Sequence, residues 1–293
     1  MSTTSRQLER SSDGVDLRRK DQFKPAIIAI ELFLFLFVIA LNLPFFWMLS
    51  ASFKPKAEIL SYPPRLFPSR PNFDGYRYVW QLVPLARYFY NSTVVAVSIA
   101  LGNVLLGALA AYAFAKVRFK GAKTMFFVFL GTMMIPMEVI VIPNYISLNF
   151  IGWLDTYRAL IVPFAVSGFS IFLLRQFFMQ IPRDLDDAAE IDGCGRLRYL
   201  FTIIFPISQP ALLTVALYAF LASWNSFLWP LIVTNSDRMR VIQIGLKALQ
   251  DSWMIEWNEL TAASTVATVP ILVLFFFVQK RFLEGITITG LKG

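Results

Sequence analysis

The chain has 293 residues, of which 57% are hydrophobic and only 16% are charged, whereas soluble domains carry about 25% charged residues. It has no histidine and one cysteine, Cys194, which removes the usual general base, the usual zinc ligand and any internal disulfide. The net charge of +8 does not indicate nucleic acid, because the basic residues flank apolar runs, as they do in proteins oriented in a bilayer. The composition therefore predicts an integral membrane protein.

Six apolar runs are each long enough to cross the hydrocarbon core, which takes about 20 helical residues. They cover residues 26–50, 88–114, 124–148, 157–178, 205–233 and 261–279. Four prolines interrupt them, which neighbouring helices can accommodate: Pro136, Pro143, Pro163 and Pro230. The pattern predicts an all-α polytopic membrane protein with six transmembrane helices, in which residues 26–293 form the membrane domain. Residues 1–25 are expected to be a retained polar tail, because the first run is too long for a signal peptide.

The distribution of Lys and Arg predicts the orientation. With the N-terminus inside, 17 of the 27 basic residues fall on inner segments, where short loops are enriched in positive charge. Four of them lie in the short segment 116–123. We therefore expect both termini in the cytoplasm.

A short acidic segment, DLDDAAEIDGCGRLRYLFTIIFPISQP at residues 184–210, separates two of the apolar runs. After Pro182, Asp184 is predicted to cap a helix over residues 185–192 whose third position is Asp187. Gly193 is suited to end that helix in a left-handed conformation. A second helix over residues 196–205 then leads into the fifth span at Pro206. A helix of two turns is marginal alone and needs a docking surface; an ordinary capped loop accounts for the same residues equally well.

Residues 187–206, DAAEIDGCGRLRYLFTIIFP, resemble the EAA loop of permease subunits of ATP-binding-cassette importers. The matching positions are Asp187, Ala188, Ala189, Gly193 and Pro206. FKPKAEI, MMIPMEVIVIPNY, GWLDTYRALIVP, WNSFLWPLIV and the terminal GLKG are similar to the carbohydrate-uptake branch, and in particular to the second permease of maltose-type systems. The resemblance spans nearly the whole chain after the tail. The family usually has Glu in place of Asp187 and commonly Ala in place of Cys194.

The resemblance implies that residues 180–206 form a cytoplasmic helix–loop–helix that sits in a groove of a separate ATPase subunit. It implies ATPase coupling by Asp187, Ala188, Ala189, Asp192, Gly193 and Pro206. The chain has no G-x-x-x-x-G-K-[ST] loop, so we expect a transport subunit with no cofactor and no catalysis of its own, and ATP and Mg²⁺ bound by the partner ATPase dimer. The other expected partners are a second permease, an extracytoplasmic solute-binding protein and membrane lipid. The resemblance also implies that the chain lies in the cytoplasmic (inner) membrane of a bacterium.

Polar residues within spans are candidates for the substrate path: Glu138, Asn144, Trp224, Asn225 and Ser226. Indole faces with amide and hydroxyl groups suit a sugar. Glu138 can equally lie hydrated in a cavity or pair with Arg158, and Trp229 can equally belong to an interfacial aromatic belt. Trp80 and the segment 237–259 are expected to receive the binding protein.

Small and polar residues in the second run, Asn91, Ser98 and Gly102, recur at helical spacing. Helix packing explains this stripe better than a binding site does.

The expected cargo is a sugar, a polyol or a glycoside, with sugar phosphates left open. The principal alternative is an ion-coupled secondary carrier, although such carriers often contain internal repeats and mid-membrane acids, and Glu138 is the one such acid here. A membrane-embedded enzyme is a third possibility, but the sequence has no histidine and no recognisable pairing of a nucleophile with a base.

Overall fold

The computed structural model describes residues 5–250 and 257–290. Parts of the predicted tail, of the segment 237–259 and of the terminal GLKG therefore lie outside the described residues. In the described part every regular element is helical, which confirms the all-α prediction. The α-helices are α1 (Ser5–Ala51), α2 (Lys56–Ile59), α3 (Asp74–Leu82), α4 (Leu85–Lys116), α5 (Ala122–Thr132), α6 (Met137–Phe150), α7 (Tyr157–Ile161), α8 (Gly168–Gln180), α9 (Arg183–Ile191), α10 (Arg196–Tyr199), α11 (Phe205–Ile207), α12 (Gln209–Trp224), α13 (Leu228–Val233), α14 (Ile242–Gln250) and α15 (Trp257–Gly290).

Three unbroken helical segments are long and apolar enough to cross a membrane: Ile27–Ala51, Leu85–Lys116 and Trp257–Gln279. Three further candidates are bent pairs of helices, α5 with α6 (97°), α7 and its 3₁₀ extension with α8 (41°), and the helical stretch Arg196–Ile207 with α12 (86°). Within the described residues the structure therefore supports three spans, or up to six if each bent pair counts as one.

The bends divide the predicted spans over residues 124–148, 157–178 and 205–233, which the sequence already showed to contain prolines. Pro136 adopts an extended conformation immediately before α6, while Pro143 is accommodated inside that helix. In the fifth run the helix turns at Ser208, between Pro206 and Pro210, and α12 ends at Trp224, so that α13 is a separate short helix. Proline removes a helical donor and restricts the residue before it, which explains why the breaks lie beside prolines.

The core of the bundle is built around α4, which packs against α8 and α12. Close packing is possible because small residues face these neighbours, among them Ala96, Ala100, Ala108 and Ala111, all buried. Asn91 is fully buried as well, which supports the packing interpretation of its stripe. By contrast, the most apolar stretch of α1 buries none of its residues within the chain.

One π-helical turn, Leu200–Ile204, connects α10 to α11. The segment from Arg196 to Ile207 is therefore helical without interruption. It joins the acidic element of residues 183–199 directly to the fifth run.

Candidate functional site

The acidic element consists of α9, a glycine turn and α10, which we call the coupling element (residues 183–199). Its turn is a Schellman motif: the amide of Cys194 donates to the Ala189 carbonyl at 2.8 Å and that of Gly193 donates to the Glu190 carbonyl at 3.0 Å. Gly193 has φ of +68°, which confirms the predicted left-handed cap. The predicted start was wrong, because α9 begins at Arg183 after Pro182 and no side chain caps it.

The two alanines of the element differ in their environment, because adjacent residues of a helix point about 100° apart. Ala189 is buried in a cluster with Phe178, Ile181 and Tyr199 of the same chain. Ala188 is exposed, as are Asp187, Asp192, Gly193 and Pro206. The small side chain of Ala189 therefore permits close packing within the permease itself, while its predicted part in ATPase coupling stays a prediction.

Asp186, which the sequence analysis did not single out, ties the coupling element to the end of α4. Its carboxylate accepts a hydrogen bond from Lys116 Nζ at 2.8 Å and another from the Tyr199 hydroxyl. Lys116 Nζ also donates to the Ile181 carbonyl at 2.9 Å. The side chain of Lys116 is only 8% exposed, so water screens this ion pair less than it would a surface pair. Lys116 and Asp186 are 70 positions apart, and no local sequence pattern could have indicated their contact.

The coupling element carries apolar side chains that no other described part of the chain covers. Ile191 is 86% exposed and Leu197 is 62% exposed, and both stand among charged residues. Isolated exposed apolar side chains are common, but these two flank one rigid turn. They are therefore candidates for contact with another protein.

A cavity of about 570 Å³ opens within the bundle between α4, α8 and α12 and the break between α5 and α6. Hydroxyl side chains line it, namely Ser92, Thr132, Ser167, Ser223 and Ser226. Aromatic residues contribute as well: the rings of Phe169 and Tyr218 have centroids 4.5 Å apart. No Lys, Arg, Asp or Glu lines the cavity among the residues the structure describes. Such a wall can hold a polar, uncharged molecule through hydroxyl groups and ring faces.

Of the predicted path residues, Ser226 alone lines this cavity. Trp224 is 2% exposed, stacks on Phe220 and donates from Nε1 to the Ala267 carbonyl at 3.2 Å. Its indole is therefore a core side chain and cannot meet a solute without rearrangement. Asn225 is exposed and donates to the Leu221 carbonyl within its own helix at 2.9 Å.

Glu138 and Asn144 both lie on α6, and neither lines the cavity, although Met137 and Ile140 of the same helix do. Glu138 is exposed in the first turn of that helix. It makes no ion pair with Arg158, although both residues are described; the guanidinium of Arg158 lies 5.8 Å from the centre of the Trp153 ring instead. Trp229 is buried and donates to the Ala159 carbonyl at 3.0 Å, so the structure places it in the core rather than in an aromatic belt.

At the other end of α4 a network of hydrogen bonds holds the segment 235–242. Asn91 Nδ2 donates to the carbonyls of Arg238 (3.0 Å) and Arg240 (2.8 Å). The Tyr88 hydroxyl donates to Asp237 at 2.7 Å, and the Ile242 amide donates to Ser92 at 2.8 Å. This end of the bundle is therefore as firmly connected to α4 as the coupling element is.

Asp155 forms further hydrogen bonds to the same segment. Its carboxylate accepts from the amides of Asn235 and Ser236, and from the Ser236 hydroxyl at 2.6 Å. Burial opposes ionisation, but the hydrogen bonds from Ser236 and Asn235 outweigh it and hold the pKa of Asp155 below its usual value. The connection between α6 and α7 is thereby fastened to the connection between α13 and α14.

Comparison with known proteins agrees with these features. A family model described as the inner membrane component of binding-protein-dependent transport systems matches residues 103–287. The chain is 33% identical over 280 residues to the arabinooligosaccharides transport system permease protein AraQ of Bacillus subtilis, covering 94% of this chain and 100% of the relative. It is 34% identical over 255 residues to the trehalose/maltose transport system permease protein MalG of Thermococcus litoralis, covering 85% and 91%.

The fold is similar to a chain in the crystal structure of a bacterial ABC transporter involved in the import of the acidic polysaccharide alginate. The TM-score is 0.78 at 23% identity, and the match covers 89% of this chain and 98% of that one. At this identity the similarity concerns the fold alone. The family match extends over more than half of the sequence and confirms the resemblance noted from the motifs. This chain belongs to the permease family of binding-protein-dependent ABC transport systems, as a subunit of the inner membrane.

Proposed function

We propose that this permease forms half of the import pathway for an uncharged sugar or glycoside and that a separate ATPase docks on its coupling element. Residues 26–293 act as one transmembrane domain, with the tail of residues 1–25 and the coupling element on the cytoplasmic side. A second permease completes the pathway, and a solute-binding protein delivers the cargo at the opposite side. ATP and Mg²⁺ belong to the ATPase subunits. The family assignment disfavours the alternative of an ion-coupled secondary carrier.

The observation that carries the ATPase proposal is the exposed apolar pair Ile191 and Leu197 on a rigid, charged element. Apolar side chains at the centre of a contact contribute most of the binding free energy when a partner buries them. Asp187, Ala188, Asp192 and Gly193 belong to the same element and are also exposed. In this proposal they shape the contact, whereas Ala189 and Pro206 position the element.

The test is co-purification of the ATPase with the two permeases. We expect the double variant Ile191→Asp/Leu197→Asp to lose most of the bound ATPase while the permeases remain assembled in the membrane. Tyr62→Asp is the matched control, because Tyr62 is 96% exposed on a loop distant in sequence and should retain the ATPase. Normal retention in the double variant would refute docking on this face.

The uncharged wall of the cavity supports the proposed cargo. A phosphate or carboxylate taken out of water needs a compensating cation, and none lines the described cavity. Ser223, Ser226 and the Phe169–Tyr218 pair instead suit sugar hydroxyls and ring faces. The two permease relatives are named for arabinooligosaccharides and for trehalose and maltose.

Uptake by a strain with and without the gene tests the cargo. We expect deletion to abolish uptake of a neutral oligosaccharide, and Tyr218→Leu to reduce it with normal amounts of assembled complex. If deletion abolished uptake of a sugar phosphate but not of the neutral oligosaccharide, the proposed uncharged cargo would be wrong.

Orientation is tested by labelling cysteines with an impermeant thiol reagent in a Cys194→Ser background. Arg238→Cys should react from outside intact cells and Lys120→Cys should not, because the basic segment 116–123 is expected in the cytoplasm. Both positions are exposed. The reverse pattern would overturn the proposed topology.

A further inference from the structure

The helix α4 is the one well-buried candidate span that runs without a break through the described bundle. It has 32 residues, which corresponds to about 48 Å at 1.5 Å per residue. In the most apolar 18-residue stretch of α4, 44% of the residues are buried within the chain. The corresponding share is 17% in α15 and zero in α1. The remaining candidate spans are bent by 41° to 97°. Motion can therefore pass along α4 without a hinge.

Each end of this helix is bonded to a different functional segment. At the N-terminal end, Asn91 donates to two backbone carbonyls of the segment 235–242, and its own side-chain oxygen accepts from the Tyr157 hydroxyl at 2.6 Å. At the C-terminal end, Lys116 bonds to Asp186 of α9 and to the Ile181 carbonyl. The two residues are 25 positions apart, which corresponds to about 37 Å along the helix.

These bonds are strong enough for the segment 235–242 and α9 to move as one body with α4. Asn91 is fully buried and has every polar atom paired, so breaking a bond there leaves unsatisfied groups in the interior. The Lys116–Asp186 contact is a charge-assisted hydrogen bond with little exposure on the lysine side. Removing either partner leaves a charge largely out of water, which is unfavourable.

We propose that Lys116 and Asn91 are the positioning residues of a rigid link, through which α4 carries movement of the coupling element to the segment 235–242 at the opposite end. This inference rests on the proposed function, since the ATPase must dock on the coupling element. It assigns a direct connection, through one helix, between the ATPase side and the side where cargo is delivered. The remaining helices rearrange around that link at their bends.

The experiment uses the assembled complex of both permeases and the ATPase subunits in nanodiscs, and it needs no cargo. A cysteine at Arg238, in the Cys194→Ser background, reports on the far segment through its rate of reaction with a maleimide. We expect this rate to change severalfold when the ATPase is trapped with ATP and vanadate. In the Lys116→Met complex, vanadate should still trap the ATPase. The ratio of the maleimide labelling rate in the trapped complex to that in the untrapped complex should nevertheless fall to one. The charge swap Lys116→Asp/Asp186→Lys should restore the ratio in part.

Asn91→Leu breaks the link at its other end and should also bring the ratio to one with the ATPase still bound. If the Lys116→Met complex fails to assemble, Asn91→Leu still tests the link, because Asn91 lies far from the coupling element. A cysteine at Tyr62 is the control site, since its labelling ratio should not depend on Lys116. An unchanged Arg238 ratio in the variants, or no response in the unmodified complex, would overturn the link. Failure of the unmodified permeases to retain the ATPase would instead refute the proposed function.

Discussion

Gly102 of α4 lies directly against the backbone of Ala165, so that a Cβ at Gly102 would stand 2.5 Å from the Ala165 carbonyl oxygen. A Cβ atom essentially never lies that close to another heavy atom, and neither backbone can move without disturbing the core. The glycine therefore sets the distance between α4 and the turn before α8.

We expect Gly102→Ala to destabilise the permease by about 1–3 kcal/mol, as overpacking of a close contact does. Thermal unfolding of the purified complex measures the change. Gly131→Ala is the control, because Gly131 is helical in α5 with no atom near its Cβ position, and alanine favours a helix. Equal stability of both variants would show that α4 and the Ala165 turn separate easily.

The two alanines of the coupling element should respond differently to the same substitution. Ala189→Trp is expected to lower the thermal stability of the permease, because it overfills the cluster around Phe178 and Tyr199. Ala188→Trp should leave that stability unchanged and reduce ATPase retention, because Ala188 faces outward. The comparison measures unfolding temperature and ATPase co-purification for both variants. A stable Ala189→Trp protein that fails only to bind the ATPase would contradict the inward packing.

Trp224 is expected to act on stability rather than on transport. Trp224→Ala removes a buried indole that contacts Phe89 and Phe220 and should destabilise the fold by about 3–5 kcal/mol. Ser226→Val is the matched variant at the cavity wall and should reduce uptake while preserving the amount of assembled complex. The measurements are fluorescence-detected thermal unfolding and cargo uptake. A stable Trp224→Ala complex with defective uptake would place the indole in the pathway after all.

The hydrogen bonds that Asp155 accepts predict that the stability of the folded protein depends on pH. Because its folded pKa is lowered, its contribution is present above the unfolded value of about 4 and is lost as the pH falls through the folded value. The Asn variant cannot become charged and tolerates the positive φ at this position. The difference in unfolding temperature between the wild type and Asp155→Asn should hold from pH 8 to 5 and shrink below pH 4. A constant difference down to pH 3 would contradict the assignment.

The helical class, the apolar runs and the left-handed Gly193 were predictable, because hydropathy and glycine chemistry act locally. The orientation of α9 was not, because contacts with residues outside the helix, such as Phe178 and Tyr199, decide which of its sides packs inward. Ala189 and Asp186 consequently face inward and Ala188 outward, a distinction that composition cannot make. Trp224 and Ser226 are two positions apart, yet one lies in the core and one on the cavity wall.

The bends and the network around Lys116 depend on contacts between distant parts of the chain. Pro136 breaks a helix while Pro143 does not, although both have the same local chemistry. Lys116 and Asp186 are 70 positions apart, and no local pattern pairs them. Tertiary packing decides both outcomes.

The π-helical turn Leu200–Ile204 sets the angular phase between the coupling element and the fifth run. It accommodates one residue more than an α-helical turn would, so removing that residue rotates everything before it by about 100° relative to α12. Chimaeras that join this coupling element to the α-helical fifth span of another permease would therefore present Ile191 and Leu197 in the wrong direction. Domain boundaries for such exchanges belong after Ile204, so that the extra residue travels with the face it orients.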